Sequence, residues 1–119
     1  MKNANVSPAD GRLGILIVGN GAVATTFVTG VLLARRGLGK PIGSMTQYDR
    51  VRVKTSPNTS PESSEGGEKR YLSYSELVPI ARLDDLVFGC WDVYPQNAYQ
   101  AAVYAEVLRK EDIDPVRDE

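Results

Sequence analysis

The chain has 119 residues, of which 42% are hydrophobic and 24% are charged, so it is long enough for one small domain with its own core. Its 14 basic and 15 acidic side chains leave a formal charge of -1, which disfavours nucleic acid or an anionic membrane as a partner. It has no histidine and one cysteine, Cys90, which excludes a His-dependent triad, a His-containing zinc site and an internal disulfide within this chain, and we expect a reducing, cytoplasmic location.

An aliphatic strand is the first predicted element. It follows a polar leader at residues 1–10 and covers Leu13–Val18, a run rich in branched side chains, as in a parallel strand buried on both faces. The uncharged stretch Leu13–Ala34 is long enough to span a bilayer, but Gly19-Asn20-Gly21 interrupts it with a turn. We therefore expect the central strand of a sheet and no membrane segment.

A helix is predicted directly after this turn, over Ala22–Arg36. Four of its apolar side chains recur at helical spacing and are expected to pack on the sheet: Val23, Phe27, Val31 and Ala34. Arg35 and Arg36 suit the negative end of the helix dipole, and Gly37 is a candidate C-cap. These three residues mark where the helix should end.

The middle of the chain has a weaker pattern. Gly43–Lys54 ends in the alternation Val51-Arg52-Val53-Lys54, which predicts a half-exposed strand near a sheet edge. Residues 56–70 contain no aliphatic side chain and cannot bury a core, so we expect a flexible surface loop there. Tyr71–Ile80 is predicted to be irregular or a short helix, because Pro79 limits any long element.

The last third of the chain predicts a strand followed by a helix. The strand covers Leu86–Asp92 and is expected to be buried, with Cys90 as an inert core thiol and Trp91 as a packing residue. The helix opens at Pro95–Asn97 and is predicted to run to about Lys110, with its alanines on close-packing faces.

The most informative feature is Gly19-Asn20-Gly21-Ala22-Val23-Ala24, which matches the G-x-G-x-x-[GA] dinucleotide fingerprint between a predicted strand and a predicted helix. Gly19 would allow the tight turn, Gly21 would let the backbone approach a pyrophosphate, and Ala24 would permit close contact between helix and strand. Free amides at the helix start would then bind the phosphates without a basic side chain. A P-loop is disfavoured, because no Gly-Lys-Ser or Gly-Lys-Thr follows at the required spacing.

Other polar residues near this corner have two interpretations each. Thr25 and Thr26 could donate hydroxyl groups to phosphate or bond back to the helix backbone. Asp92, at a strand end, could reach a cofactor ribose or amide, or serve only in a turn or cap. Asn97 could face the same crevice, although a helix-cap role is favoured. The usual ribose-binding acid, about twenty residues after the glycines, is missing from its expected place.

Several segments together resemble the inositol-3-phosphate synthase family in order and approximate spacing: Ile17–Phe27, Lys40–Gln47, Phe88–Val93 and Asn97–Ala102. Separate motifs in the right order are far more specific than one glycine fingerprint. The chain departs from the family pattern at Val23 and Ala24, where many relatives carry asparagines, and at Cys90, where they carry glycine. Backbone contacts to a cofactor would survive these changes, whereas contacts from the missing asparagine side chains would not.

The resemblance implies an isomerase that converts D-glucose 6-phosphate to 1D-myo-inositol 3-phosphate and restores its NAD in each turnover. With the polar residues above, the implied cofactor site consists of Gly19, Asn20, Gly21, Ala22, Val23, Ala24, Thr25, Asp92 and Asn97. The family's catalytic lysines and sugar-phosphate pocket belong to a second domain, so we expect no catalytic residue here and no activity from this chain alone. Full-length members are expected to be tetramers.

The fold class that follows is α/β: a Rossmann-like, mostly parallel sheet with flanking helices, forming an incomplete domain over residues 11–112 before a charged tail at 113–119. Two alternatives remain at this stage. One is the cofactor domain of another NAD-dependent oxidoreductase, and the other is a free-standing nucleotide-binding regulatory module. Sequence downstream of Glu119 would separate them, because a two-domain enzyme would need about two hundred or more further residues.

Overall fold

A computed structural model describes residues 7, 11–48, 50–53 and 70–119 of the chain. Its elements, in chain order, are β1 (Leu13–Val18), α1 (Ala22–Arg35), α2 (Met45–Tyr48), β2 (Arg50–Val53), β3 (Arg70–Ser73), α3 (Tyr74–Leu77), β4 (Leu86–Trp91), α4 (Ala98–Ala105) and α5 (Lys110–Ile113), with short 3-10 helices at Leu83–Asp85 and Asp114–Val116. The predicted leader, apart from Ser7, and the predicted loop up to residue 69 lie outside the described residues.

The chain divides into two compact units, which are described separately. The glycine-corner unit contains residues 8–41 and 81–119, and the hairpin unit contains residues 1–7 and 42–80. The glycine-corner unit holds β1, α1, β4, α4 and α5, so both predicted buried strands and both long helices fall within it.

The glycine-corner unit is built on a parallel pair of strands, β1 and β4, aligned from Leu13 opposite Leu86 to Val18 opposite Trp91. Both strands occur where the aliphatic runs predicted them, and helices connect and flank them. The prediction that β1 is buried on both faces is wrong for the described part of the sheet, because Leu16 is 73% exposed. Trp91 is likewise 73% exposed, and Cys90 is exposed. The predicted packing role of Trp91 and core position of Cys90 are therefore incorrect, since the described elements cover one face only.

Helix α1 has its predicted start but a different buried face. Its buried residues are Thr25, Thr29, Val31 and Leu32. Of the predicted packing residues, Val31 is buried, whereas Val23 is 85% exposed and Phe27 is 46% exposed. Phe27 still contacts the sheet, with its ring edge-to-face against Phe88 at a centroid distance of 5.7 Å. The stripe of threonines was missed because their hydroxyl groups count as polar in a hydropathy pattern.

The two arginines at the end of α1 make specific tertiary contacts. Arg35 donates from Nε to the carbonyl oxygen of Leu83 at 2.8 Å and from its guanidinium to the carbonyl oxygen of Leu86. Arg36 pairs with the carboxylate of Glu119 at 2.5 Å. The following Gly37 has φ +69°, the left-handed conformation that its predicted capping role requires.

Helix α4 is shorter than predicted. It begins at Ala98 as expected but ends at Ala105, because Glu106 adopts a left-handed conformation with φ 53°. Its alanines Ala101 and Ala102 are buried, in agreement with the predicted close-packing faces. The segment after it returns to the core: Ile113 is 3% exposed and Val116 is 6% exposed. The charged C-terminal residues thus carry two apolar side chains that complete this unit.

The hairpin unit contains an antiparallel pair, with Arg50 of β2 opposite Ser73 of β3. Strand β2 overlaps the predicted alternation Val51–Lys54 and begins one residue earlier, at Arg50. The preceding helix α2 was not predicted. Strand β3 was not predicted, and it includes Arg70, which had been assigned to the polar loop. The predicted short helix is α3, and its first turn is closed by a capping box between Ser73 and Glu76.

The uncharged stretch that raised the possibility of a bilayer span forms β1, the glycine turn and most of α1. Helix α1 has 14 residues. Among the described residues, no helix is both long enough and apolar enough to cross a membrane.

Candidate dinucleotide-binding site

The turn between β1 and α1, Gly19–Gly21, is named the glycine corner here. Gly19 has φ +90°, a backbone conformation that residues with a Cβ atom rarely adopt. Glycine is therefore required at this position. Its amide donates to the carbonyl oxygen of Trp91 at 2.8 Å and extends the β1–β4 ladder by one residue. Gly21 is the extended N-cap of α1, and a Cβ added to it would meet no heavy atom within 4 Å. The corner is thus both tight and open on its outer side.

The start of α1 presents free backbone donors at this open side. No side chain caps the helix, and its first turn contains no acidic residue. The first intrahelical hydrogen bond runs from the amide of Thr25 to the carbonyl oxygen of Gly21 at 3.0 Å. The amides of Ala22, Val23 and Ala24 precede it and have no partner within the helix. Together with the positive end of the helix dipole, they form an arrangement that suits an anionic phosphate.

Asp92 follows β4 directly and lies beside the glycine corner. Its Oδ2 accepts a hydrogen bond from the amide of Asn20 at 2.5 Å, and its Oδ1 accepts one from the amide of Tyr94 at 3.1 Å. The amide of Asn20 is the main cause of a lowered pKa for the Asp92 carboxyl, and the amide of Tyr94 is the next, because both donate to the ionised form. The surroundings of Asp92 therefore favour its ionised form.

The hydroxyl groups of the two threonines are used within α1. Thr25 donates from Oγ1 to the carbonyl oxygen of Gly21 at 3.0 Å, and Thr26 donates to that of Ala22 at 2.7 Å. Thr25 is 3% exposed. The structure thus supports the back-bonded interpretation for both residues, and a contact between Thr25 and a cofactor stays a prediction without further support.

Asn97 is the N-cap of α4, which was the favoured interpretation of this residue. Its Oδ1 accepts from the amide of Gln100 at 2.8 Å, while the Gln100 side chain accepts from the amide of Asn97 at 3.1 Å. This reciprocal pair is a capping box. Asn97 also lines a pocket of about 320 Å³ together with Asn20 and Asp92, so it lies near the glycine corner. Its side-chain oxygen Oδ1 is already bonded to the amide of Gln100.

A second pocket, of about 350 Å³, opens directly at the corner and is called the corner pocket. Among its lining residues are Asn20, Gly21, Ala22, Asp92, Tyr94 and Tyr104. The structure therefore brings Asp92 next to the glycine fingerprint, as predicted for the ends of parallel strands. The two tyrosines were not predicted as part of the site. Tyr94 could have been noticed from its closeness to Asp92, whereas Tyr104 is placed only by the direction of α4.

A further cavity, of about 380 Å³, is lined in part by the core residues Leu32, Ile113 and Val116, together with Phe88. Its size does not make it the better candidate site, because these side chains belong to the packing of the unit. Across the described residues, no three His, Cys, Asp or Glu side chains are grouped as they would be to hold a metal ion.

Comparison with known proteins identifies the family. A family model for an NAD-binding domain, described as myo-inositol-1-phosphate synthase, matches residues 13–119. The chain belongs to this family. Inositol-3-phosphate synthase 1 of Bacteroides thetaiotaomicron is 47% identical over 115 residues, which cover 96% of this chain and 24% of the relative. Inositol-3-phosphate synthase 1 of rice, Oryza sativa subsp. japonica, is 33% identical over 114 residues, covering 87% of this chain and 20% of the relative.

The fold agrees with that of a solved relative. The crystal structure of inositol-3-phosphate synthase from Caenorhabditis elegans matches with a TM-score of 0.63 and 22% identity, covering 91% of this chain and 22% of that chain. The α/β, Rossmann-type assignment is thereby confirmed, and NAD is the cofactor of the matched domain family. The chain spans 24% of the length of the Bacteroides relative. Another oxidoreductase family and an unrelated regulatory module are not favoured.

Proposed function

We propose that this chain is the NAD-binding part of an enzyme that isomerises D-glucose 6-phosphate to 1D-myo-inositol 3-phosphate. The observation that carries the proposal is the uncapped start of α1 behind an open glycine corner, at the carboxyl ends of two parallel strands. This position is where open α/β sheets bind dinucleotides. The family match over residues 13–119 supports the choice of NAD and of this reaction.

In the proposed complex, the pyrophosphate lies against the amides of Ala22, Val23 and Ala24. The missing side chain of Gly21 keeps the backbone open to close approach, because nothing occupies the space within 4 Å of its Cβ position. The corner pocket then receives one of the two nucleosides, next to Asp92 and the exposed ring of Tyr104. Binding depends on backbone donors, so replacing the family's asparagines by Val23 and Ala24 leaves these phosphate contacts in place.

Bound NAD supplies a hydride acceptor and, once reduced, a hydride donor, so the isomerisation needs no net oxidant. The residues of this chain bind and orient that cofactor. We assign no catalytic step to them: Lys40 and Lys110 are exposed and lie outside the corner pocket. The lysines that act on the sugar phosphate are proposed to lie in the part of an inositol-3-phosphate synthase that this chain does not match.

The site assignment is tested by substituting glycines that have equal space around them. A Cβ at Gly21 has no heavy atom within 4 Å and the residue has no unusual φ, so Gly21→Val should keep the fold while the valine fills the phosphate space. We expect the Kd for NAD to rise by about tenfold to a hundredfold, since a hydrogen bond to a charged group contributes about 1.5–3 kcal/mol. Gly43→Val, equally unobstructed but in the hairpin unit, is the control and should leave the Kd unchanged.

Isothermal calorimetry on the wild type and both variants measures the Kd for NAD. The proposal requires that NAD bind more tightly than ATP and that only Gly21→Val weaken it. Equal NAD affinity in Gly21→Val and wild type would refute the site. Incubation of the chain with D-glucose 6-phosphate and NAD should yield no inositol phosphate, and product above the blank would show that catalytic residues have been misplaced.

We further propose a cytoplasmic enzyme that is a tetramer at full length. The single cysteine supports a reducing compartment, and the resemblance to the family supports the assembly. Cell fractionation tests the first proposal. Light scattering on a full-length relative, such as that of Bacteroides thetaiotaomicron, tests the second.

A further inference from the structure

Asp92 uses both of its carboxylate oxygens to join two loops. Oδ2 accepts from the amide of Asn20 in the β1–α1 turn, at 2.5 Å, and Oδ1 accepts from the amide of Tyr94 in the β4–α4 loop, at 3.1 Å. The two loops are separated by about seventy residues of chain, since Asn20 and Asp92 are 72 positions apart. One side chain thus links the two segments between which the corner pocket opens.

The link acts on the middle residue of the fingerprint. The amide of Gly19 is bound to the carbonyl oxygen of Trp91 at 2.8 Å, so two successive amides of the corner are fastened to the end of β4. Asn20 is only 9% exposed, which leaves its amide little opportunity to bond to water instead. Without the Asp92 carboxylate, this buried amide would lose its partner and the turn would have to rearrange to satisfy it.

We propose that Asp92 is a positioning residue, which holds the glycine corner so that the amides at the start of α1 face the cofactor pyrophosphate. This inference rests on the proposed function. Its basis is that the carboxylate is already engaged by two backbone donors on the site's own loops. Each carboxylate oxygen has two lone pairs, so the two backbone hydrogen bonds are compatible with a ribose contact, and the positioning role is additional to it.

The charge of Asp92 raises an objection that the geometry answers. A carboxylate close to a diphosphate repels it, and this repulsion alone would weaken NAD binding. Here two N–H dipoles point at the carboxylate and offset part of its charge. The positioning effect and the repulsion predict opposite results for removal of the carboxylate, so an experiment separates them.

The experiment compares two ligands, NAD and inorganic pyrophosphate, by NMR titration of the ¹⁵N-labelled chain. Asp92→Ala should raise the Kd for both ligands by about tenfold, because the amides that bind the phosphates lose their alignment. Asp92→Asn retains one oxygen that can accept from Asn20 and should raise both values by a smaller factor, about threefold. Asp84→Ala removes an exposed acid in the short 3-10 helix before β4 and should change neither value.

Each outcome has a distinct meaning. A loss of NAD affinity with unchanged pyrophosphate affinity would overturn the inference in favour of a ribose contact. Tighter pyrophosphate binding in Asp92→Asn would overturn it in favour of simple repulsion. A wild-type chain that binds neither ligand would instead refute the proposed function. Amide exchange at Asn20 provides a test that needs no ligand: it should be slow in the wild type and faster in Asp92→Asn, and equal rates would contradict the positioning role.

Discussion

Replacing Arg35 at the end of α1 tests whether that residue stabilises the glycine-corner unit through its specific tertiary contacts or only through its positive charge. Its guanidinium donates to the carbonyl oxygens of Leu83 and Leu86 and lies 5.7 Å from the ring centroid of Phe88. After allowance for partial exposure, each hydrogen bond contributes about 1 kcal/mol and the ring contact about 0.5 kcal/mol. Arg35→Met should therefore lower the free energy of unfolding by about 2–3 kcal/mol, or Tm by about 10 °C.

The informative comparison is Arg35→Lys. A lysine keeps the positive charge at the negative end of the helix dipole, an effect worth about 0.3–1 kcal/mol, but it has no planar fork to reach two carbonyl groups. We expect Arg35→Lys to lose about 1–2 kcal/mol, about half to two thirds of the effect of methionine. Urea unfolding followed by circular dichroism measures both. If lysine restored wild-type stability, the positive charge alone would explain the effect of Arg35, and its contacts with Leu83, Leu86 and Phe88 would be energetically unimportant.

Three further predictions follow from the site and its surroundings. Thr25→Val should leave the NAD Kd unchanged, because the Thr25 hydroxyl bonds within α1; calorimetry showing weaker binding would make it a cofactor ligand. The pKa of Asp92 is lowered in the folded chain, so its stabilising effect is complete above the ordinary carboxyl pKa and is lost as the pH falls below it. Acid unfolding of Asp92→Asn should lack this loss, and identical acid profiles would contradict it. Cys90 is exposed and should react with a thiol reagent in the native chain; reaction only after denaturation would mean that it is buried.

Local sequence signals were sufficient for the elements that form the candidate site. The aliphatic runs placed β1 and β4, and the glycine fingerprint placed the turn and the start of α1. These features depend on the conformational preferences of consecutive residues. The position of Asp92 beside the corner could also be expected, because parallel strands bring their carboxyl ends to the same edge of the sheet.

The remaining features depend on contacts between distant parts of the chain. Trp91 and Cys90 appear apolar and were expected to be buried, but their exposure is decided by which elements cover the second face of the sheet. The contacts of Arg35 require Leu83 and Leu86 to fold against the end of α1, which no local pattern encodes. Strand β3 exists because it pairs with β2, and its own four residues carry no strong signal.

Asp92 shows the same difference between what local sequence predicts and what long-range contacts decide. Its type and its place at the strand end indicated an interaction with the cofactor site. Which interaction it makes depends on the amides of Asn20 and Tyr94, whose directions are set by the turns that the two loops adopt.

The central claim is that NAD binds at the start of α1, and NMR titration of the ¹⁵N-labelled chain with NAD tests it most directly. We predict saturable shifts that are largest at the amides of Gly21, Ala22, Val23 and Ala24, with smaller changes at Asn20 and Tyr94 in the corner pocket. Shifts centred instead on residues of the larger cavity, such as Ile113 and Val116, or confined to the hairpin unit, would contradict the account.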